Sequence, residues 1–274
     1  ETLRQSAADG ASLVSILQGQ GIIPGIKVDT GAKELPGSQG EKITEGLDGL
    51  PARVEEYVGL GARFAKWRAV ITIGDHIPSR HCIHTNAHAL ARYAKICQED
   101  GLVPIVEPEV LMDGDHDLER CDRVTTMTLN TVFDELYAQE LDRTIAQLES
   151  GRRVLAVFGA NWCHDSRALA GWLVSEDFEP LLREHFELVF VDVGSPQTGE
   201  GRNLDLAARY GVSDIDGTPN LLVIDDSGAL VNTPESAKGW RNAASRSEES
   251  IYAILQSYAG EPDVSDAPVA ETAG

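Results

Sequence analysis

The stretch Phe64-Ala65-Lys66-Trp67-Arg68-Ala69-Val70-Ile71-Thr72-Ile73 decides the fold of the first half of the chain. It predicts a strand, and the helical pattern that follows it carries Leu90 and Cys97 on one face. Two more strands with the same strand–turn–helix succession are predicted at residues 22–28 and 103–110. We therefore interpret this half as three βα units about forty residues apart, which is typical of a parallel sheet or a (β/α) barrel.

One long helix is predicted to link the two halves. It starts near Asp117, runs toward Leu148 and stops before Gly151. Beyond it the pattern changes to short apolar strands separated by helical stretches. The predicted elements there are strands at residues 154–159 and 188–193, a hairpin of 221–224 with 229–231, and helices at 166–173, 203–210 and 249–258.

Composition limits the classes of partner. The 274 residues carry a formal net charge of −21 and are 42% hydrophobic, which fits a globular chain of two ordinary domains. Such a charge repels phosphodiester backbones, so we expect no nucleic-acid partner. No run reaches the ~20 apolar residues of a membrane span, and we expect a cytoplasmic chain without membrane association. It begins at Glu1 without methionine, so we expect sequence upstream to be missing.

Charged side chains follow the three strands of the first half in pairs. Residues two apart on a strand share a face, so each pair lies on one side of the predicted sheet. We place the pairs at or near strand C-terminal ends, where parallel α/β folds build active sites. Either a structural ion-pair network or a site for a charged small molecule explains them. The pairs are Lys27 with Asp29, Lys66 with Arg68, and Glu107 with Glu109.

Five motifs of the first half resemble class I fructose-bisphosphate aldolase, in the order and with the spacing of that family. The resemblance covers about residues 1–137. It implies a (β/α) barrel, of which about three of eight βα units are present. The motifs are Gly25-Ile26-Lys27-Val28-Asp29, Gly46-Leu47-Asp48-Gly49-Leu50, Phe64-Ala65-Lys66-Trp67-Arg68, Leu102-Val103-Pro104-Ile105-Val106-Glu107-Pro108-Glu109 and Asp113-Gly114-Asp115-His116-Asp117-Leu118.

The resemblance implies Schiff-base cleavage of fructose 1,6-bisphosphate to glyceraldehyde 3-phosphate and dihydroxyacetone phosphate, without a cofactor. Lys66, Glu107 and Glu109 match acid–base positions of the family, and Arg68 matches a substrate-orienting position. Lys27 matches a lysine that binds substrate phosphate or tunes charge. A sugar bisphosphate is the partner that such a site would take.

The nucleophile of that reaction is absent from its expected place. The family supplies the Schiff-base lysine from the strand after Glu-Pro-Glu, but after Lys95 the next lysine here is Lys238. Three βα units also cannot close a barrel. We therefore expect this chain not to cleave fructose 1,6-bisphosphate.

Cys163 differs in context from the other three cysteines, Cys82, Cys97 and Cys121. It follows an apolar strand and precedes a helix, and free N–H groups at a helix N-terminus lower a thiol pKa. The alternative is an inert buried thiol. We expect Cys163 to be the reactive cysteine.

The segment Asn161-Trp162-Cys163-His164-Asp165-Ser166 resembles the active-site segment of thioredoxin-like proteins, with serine in place of a second cysteine. Asp216-Gly217-Thr218-Pro219 is similar to the loop that carries a cis-proline opposite the thiol. The resemblance covers about residues 141–259, and 232–249 is an extra segment. It implies a site formed by Cys163 with Trp162, Ser166, Thr218 and Pro219.

The fold class predicted for the whole chain is α/β, with a partial (β/α) barrel followed by a thioredoxin-like domain. We predict an aldolase-like segment over residues 1–140, a thioredoxin-like domain over 141–259 and a disordered acidic tail over 260–274.

Three functional interpretations remain open. The first is aldolase descent with lost activity. The second is monothiol exchange or peptide binding through Cys163, with a disulfide-bearing protein or a low-molecular-weight thiol as partner. The third is docking of the aldolase-like segment onto intact aldolase subunits. Joining of two unrelated coding sequences in error is a further explanation of the two halves.

A histidine cluster marks the start of the second helix. His84 and His88 have the i, i+4 spacing of a metal pair, with His81 and Cys82 beside them. No acidic ligand lies in the same turn, so we favour a solvated helix face and expect no metal site.

Overall fold

The computed structural model describes residues 2–259, so the predicted tail at 260–274 lies outside the described residues. The chain divides into two compact units, the first ending at Gln139 and the second beginning at Glu140. Each unit contains its own three-stranded sheet and its own helices, and the predicted α/β class is confirmed.

The first unit is built on a parallel sheet with strand order β1-β4-β5. A separate antiparallel hairpin, β2 with β3, and four helices accompany it. Its strands are β1 (Gly25–Lys27), β2 (Gly31–Glu34), β3 (Lys42–Glu45), β4 (Phe64–Ile71) and β5 (Val103–Val110). Its helices are α1 (Leu13–Gly19), α2 (Leu50–Gly59), α3 (Arg80–Glu99) and α4 (Leu118–Ala146), the last of which crosses the division between the units.

The central strand β4 alternates strictly between a buried and a half-exposed side chain. Trp67 is fully buried, and its ring lies 5.4 Å from that of Tyr93 on α3. Lys66 and Arg68 point to the opposite face, as the period of two requires. On β5, Ile105 remains 43% exposed. One face of this sheet therefore packs on helices to form the core, and the other carries charge.

One prediction for the first unit needs correction. The strand predicted at residues 22–28 is shorter, because β1 pairs with β4 only from Gly25, and Ile22 and Ile23 are exposed. Helix α2 has Gly49 as its N-cap, in a left-handed conformation with a φ of 64° that suits glycine.

The second unit has a mixed sheet with strand order β10-β6-β7, in which β10 is antiparallel and β7 parallel to β6. Strands β6 and β10 are buried along almost their whole length. The strands are β6 (Arg153–Gly159), β7 (Phe186–Asp192), β8 (Gly194–Ser195), β9 (Glu200–Gly201) and β10 (Asn220–Asp225). The helices are α5 (His164–Leu173), α6 (Glu179–His185), α7 (Leu204–Ala208), α8 (Pro234–Lys238) and α9 (Glu248–Ser257).

The hairpin predicted for residues 221–224 and 229–231 forms only in part. Its first strand is β10, but the return segment makes one isolated bridge, Ile224 with Leu230. The buried Asn232 side chain then accepts from the Val223 N–H and donates to the Leu221 carbonyl, at 2.9 and 2.8 Å. A side chain therefore takes over the hydrogen bonds that a longer second strand would make, which the apolar pattern does not reveal.

Candidate functional sites

The charged face of the first unit is defined by Lys27, Asp29, Lys66, Arg68, Glu107 and Glu109. The strands bring it together through their register, which sets Lys27 opposite Lys66 and Arg68 opposite Glu107. Every cation on it contacts an anion. Lys66 Nζ lies 2.7 Å from Glu107 Oε2, Arg68 pairs with Glu109, and Lys27 pairs with Asp29.

Asp29 is the buried member of this face, with a side chain that is 1% exposed. Besides Lys27 it accepts hydrogen bonds from the backbone N–H groups of Gly31 and Arg68, at 3.1 and 3.3 Å. It therefore ties the end of β1 to the middle of β4. Its contacts are those of an anion that organises the sheet.

The predicted position of these pairs at strand C-terminal ends is wrong for β4. Lys66 is the third of its eight residues and Arg68 the fifth. The cause is the ladder with β5, which pairs with β4 from Phe64 as far as Ile71 and so extends β4 past the charged residues.

The predicted histidine positions lie mostly on the surface of α3. His81, His84 and His88 are exposed, whereas Cys82 is buried. His88 Nδ1 lies 3.0 Å from Glu135 Oε2 on α4. Within residues 2–259, no group of three or more His, Cys, Asp or Glu side chains is placed to hold a metal ion.

The thiol site of the second unit is assembled from two distant segments. Cys163 is the N-cap of α5, and its thiol donates a hydrogen bond to the Thr218 carbonyl across 3.4 Å. The Thr218–Pro219 peptide bond is cis. The structure thus brings together residues 55 positions apart in sequence.

Ser166 lies on the first turn of α5 and is buried. Its hydroxyl accepts a hydrogen bond from the Ala160 N–H at 3.2 Å, which joins the end of β6 to the helix. Burial opposes ionisation of Cys163, but the side chains of Ser166 and Thr218 and the N–H groups at positions 166 and 165 hold the pKa of the thiol below its ordinary value. The arrangement favours a thiolate.

Trp162 is half exposed beside the thiol, and its indole N–H donates to the Gly194 carbonyl at 3.0 Å. Arg167 donates to the carbonyls of Asn161 and Trp162, at 2.8 and 3.1 Å. Neither Gly194 nor Arg167 was among the predicted site residues, and no sequence signal points to these contacts between side chain and carbonyl. Together they hold the turn that presents Cys163.

The other three cysteines lie in the first unit, and all four are free thiols. Burial and the nearby Glu41 carboxylate raise the pKa of Cys82 to about 11. Burial raises the pKa of Cys97 to about 12. Cys163 is thus distinguished by the direction of its pKa shift. No helix among residues 2–259 is long and apolar enough to cross a membrane.

Two family models match the chain. The model described as fructose-bisphosphate aldolase class-I matches residues 1–146, and one described as thioredoxin-like matches residues 137–225. The two expected families, in the expected order, are confirmed.

Curated relatives match the first half. A probable fructose-bisphosphate aldolase class 1 of Xanthomonas campestris pv. campestris is 63% identical over 141 residues, which are 52% of this chain and 42% of the relative. The cytoplasmic isozyme 2 of fructose-bisphosphate aldolase from Pisum sativum is 56% identical over 136 residues, or 50% of this chain and 38% of the relative. The chain therefore spans less than half the length of these relatives.

Two solved structures are similar to parts of the chain. A fructose-bisphosphate aldolase from Plasmodium falciparum, in complex with TRAP and a small-molecule inhibitor, is 51% identical with a TM-score of 0.49, and the match covers 50% of this chain and 40% of that one. A disulphide isomerase from Xylella fastidiosa Temecula1 is 30% identical with a TM-score of 0.35, and the match covers 54% of this chain and 98% of that one.

Proposed function

The chain belongs to the fructose-bisphosphate aldolase class-I family, and from that premise we propose that its aldolase part lacks cleavage activity and that its own reaction is thiol–disulfide exchange at Cys163. The observation that carries the proposal is the Cys163 thiol at the start of α5, facing the Thr218 carbonyl with a lowered pKa. A thiol that ionises more readily supplies more of the nucleophilic thiolate at neutral pH.

The exchange proceeds in two balanced steps. The Cys163 thiolate attacks one sulfur of a disulfide, a new S–S bond forms, and the other sulfur leaves as a thiolate that takes a proton from water. Because Ser166 has no sulfur, it cannot displace this adduct. A thiolate of a low-molecular-weight thiol then attacks the partner's sulfur in the mixed disulfide and forms a new S–S bond with it. The bond to Cys163 breaks, and Cys163 leaves as a thiolate.

The partners follow from this chemistry. The first step takes a disulfide-bearing protein or a small disulfide, and the second takes a low-molecular-weight thiol. Two plant relatives are named as cytoplasmic or cytosolic isozymes, which favours the cytoplasm as the compartment. Reduced thiols are abundant there.

The test is capture of a small disulfide. The full chain is incubated with glutathione disulfide and examined by mass spectrometry. We expect one adduct, on Cys163, which disappears when reduced glutathione is added. Cys163→Ala should lose the adduct, and the control Cys121→Ala should keep it. An adduct that does not depend on Cys163 would sink the proposal.

The proposed inactivity of the aldolase part rests on the absence of a nucleophilic lysine from the strand after β5. After β5 the chain continues through α4 into β6, whose seven residues contain arginine but no lysine. Lys66 is paired with Glu107, and the sequence from residue 137 to 225 matches a thioredoxin-like model. A sugar bisphosphate is the ligand only of a completed site, since the three cations of the charged face are already neutralised.

Borohydride trapping tests this part. The chain is incubated with fructose 1,6-bisphosphate and sodium borohydride, beside a complete class I aldolase as positive control. We expect a reduced adduct on the control enzyme and none on this chain. A covalent adduct on Lys66 would overturn the proposal.

Docking onto intact aldolase subunits is a second candidate function for the first unit. It is supported by β5, which pairs with β4 on one side and with no named strand of residues 2–259 on the other. Val103 and Ile105 on the same strand are exposed. Size-exclusion chromatography with an intact class I aldolase should give a joint peak, and separate elution would exclude this candidate.

A further inference from the structure

The segment from Thr233 to Arg246, here called the strap, lies within the extra segment 232–249 of the second unit. It contains α8 and the 3-10 turn Ala243–Ser245. Its Ala237, Trp240 and Ala243 side chains are buried, and Trp240 and Ala243 belong to the hydrophobic core of this unit. The strap is therefore fixed to the core rather than attached loosely to the surface.

One contact of the strap holds the loop that carries Thr218. Arg241 forms an ion pair with Asp216, and its guanidinium keeps the pKa of that carboxyl below its ordinary value. The same side chain lies against Gly217, where an added Cβ would come within 3.0 Å of Arg241 Nε. Arg241 thus covers the two residues that precede Thr218.

A second contact of the strap holds the helix that carries Cys163. The backbone N–H of Ala244 donates to Asp165 Oδ1 at 2.9 Å. Asp165 lies in the first turn of α5, two positions after the cysteine. Two residues of the strap, Arg241 and Ala244, therefore contact both sides of the thiol site.

We propose that the strap positions the two sides of the thiol site, with Arg241 on Asp216 and Asp165 on Ala244 setting the gap between Cys163 and Thr218. The inference rests on the proposed exchange at Cys163 and adds the residues that regulate its reactivity. Without the ion pair the 216–218 loop loses its link to the strap and is held by the Asn220 amide, which donates to the Gly217 carbonyl at 2.8 Å. A shift of the loop away from the thiol then weakens the stabilisation that Thr218 gives the thiolate.

The size of the effect follows from exposure. The Asp216 side chain is 76% exposed, so the ion pair is screened by water and holds the loop weakly. The other charged or titratable groups on the elements around the ion pair are His164, Asp165 and Arg167 on α5, and Glu235, Lys238 and Arg246 on the strap. Of these, Lys238 also helps to lower the pKa of the Asp216 carboxyl, after the larger effect of Arg241.

The experiment measures the rate at which iodoacetamide alkylates Cys163 in the full chain as a function of pH. In Arg241→Gln we expect the midpoint of the profile to rise by about half a pH unit, which slows alkylation about threefold at pH 7. The limiting rate at high pH should stay unchanged, because the thiolate itself remains accessible. Arg241→Lys, which keeps the charge, should retain most of the wild-type rate.

The matched control is Arg246→Gln. Arg246 lies on the same strap, stacks over the Trp240 ring at 4.7 Å and donates to the Gly239 carbonyl, without a described contact to Asp216 or Asp165. Its profile should equal that of the wild type. A shift of the same size in Arg246→Gln would overturn the assignment to Arg241, since general loosening of the strap would then explain both.

Asp216→Asn removes the charge from the other partner and keeps its shape, and it should raise the midpoint as Arg241→Gln does. An unchanged midpoint in either variant, with wild-type circular dichroism, would overturn the inference. Failure of the wild-type chain to form the glutathione adduct while the midpoints still shift would count against the exchange reaction alone.

Discussion

The three-stranded sheets of the two units differ in how much of each sheet is buried. In the first unit the β1-β4-β5 sheet buries one face on helices and leaves on the other three ion pairs beside exposed Val103 and Ile105. In the second unit β6 and β10 are buried on both faces, and the thiol site lies at the end of the central strand β6. The first unit is 63% identical over 141 residues to a curated aldolase relative, and in the second unit the Cys163 thiol meets the Thr218 carbonyl. High identity over part of a fold and the assembly of a site are therefore separate properties.

The largest expected difference is in the free energy of unfolding, between one substitution in β6 and one in β5. Leu155→Ala in β6 removes a fully buried side chain and should lower the free energy of unfolding by about 2–5 kcal/mol. Ile105→Ala in β5 should cost less than about 1 kcal/mol, because the side chain is half exposed. Urea unfolding, followed by pulsed hydrogen exchange of peptides from each unit, measures both. Equal losses would mean that the face of β5 is covered in solution.

The next largest difference is expected at alkaline pH, where the stability of the first unit should fall. The pKa values of Cys82 and Cys97 are raised in the folded state, so their contribution to stability is complete below the ordinary thiol value near 9. It is lost as pH rises towards about 11 and about 12. Above pH 9 each thiol should weaken the first unit by at most about 1.4 kcal/mol per pH unit. The pKa of Cys163 is lowered, so its contribution is present above 9 and is lost as pH falls through the folded value.

Urea unfolding at pH 8 and pH 10 measures this contrast for each unit. The double variant Cys82→Ala/Cys97→Ala should flatten the alkaline loss in the first unit. A loss of the same steepness in that variant would show that other groups cause it.

Ser166→Ala should have the next largest effect, on the thiol rather than on the fold. It removes the hydroxyl that stabilises the thiolate and leaves the buried Ala160 N–H without its acceptor. We expect the alkylation midpoint of Cys163 to rise by about one pH unit and the free energy of unfolding to fall by about 1–3 kcal/mol. Ser166→Cys is the informative partner variant, because a second sulfur there should release the glutathione adduct without added thiol.

Lys66→Met should have the smallest effect on the free energy of unfolding. Its pair with Glu107 is partly exposed, and such pairs contribute about 0–1 kcal/mol to stability. We expect unfolding and glutathione capture at Cys163 to be unchanged within that margin. A larger loss would mean that the charged face supports more of the first unit than its exposure indicates.

Much of the fold was predictable where one segment carries its own signal. Strand β5 has the predicted bounds, 103–110, because it is rich in valine and isoleucine and its two prolines disfavour a helix. The hairpin β2–β3 was not predicted, because Gly31–Glu34 and Lys42–Glu45 are polar and short and form a strand pair only against each other. Helix α6 was also missed, since its seven residues make a weak periodic pattern.

The candidate sites were likewise predictable only where neighbours along the chain decide them. The sequence predicted that Lys66 and Arg68 share a face, and that Cys163 stands before a helix, because both depend on neighbours along the chain. It did not reveal which anion each cation contacts, since Arg68 and Glu109 are 41 positions apart. The contact of Trp162 with Gly194 was also hidden, because a carbonyl has no residue-specific signal.

The sequence by itself determined the two families, their order, the absence of lysine between Lys95 and Lys238, and the replacement of a second site cysteine by Ser166. These depend only on which residues follow one another. Tertiary structure alone decided that the charged face is neutralised pair by pair, that Thr218 faces Cys163, and that Arg241 reaches Asp216. Such contacts join residues 25 to 55 positions apart, and only the packing of buried elements brings them within bonding distance.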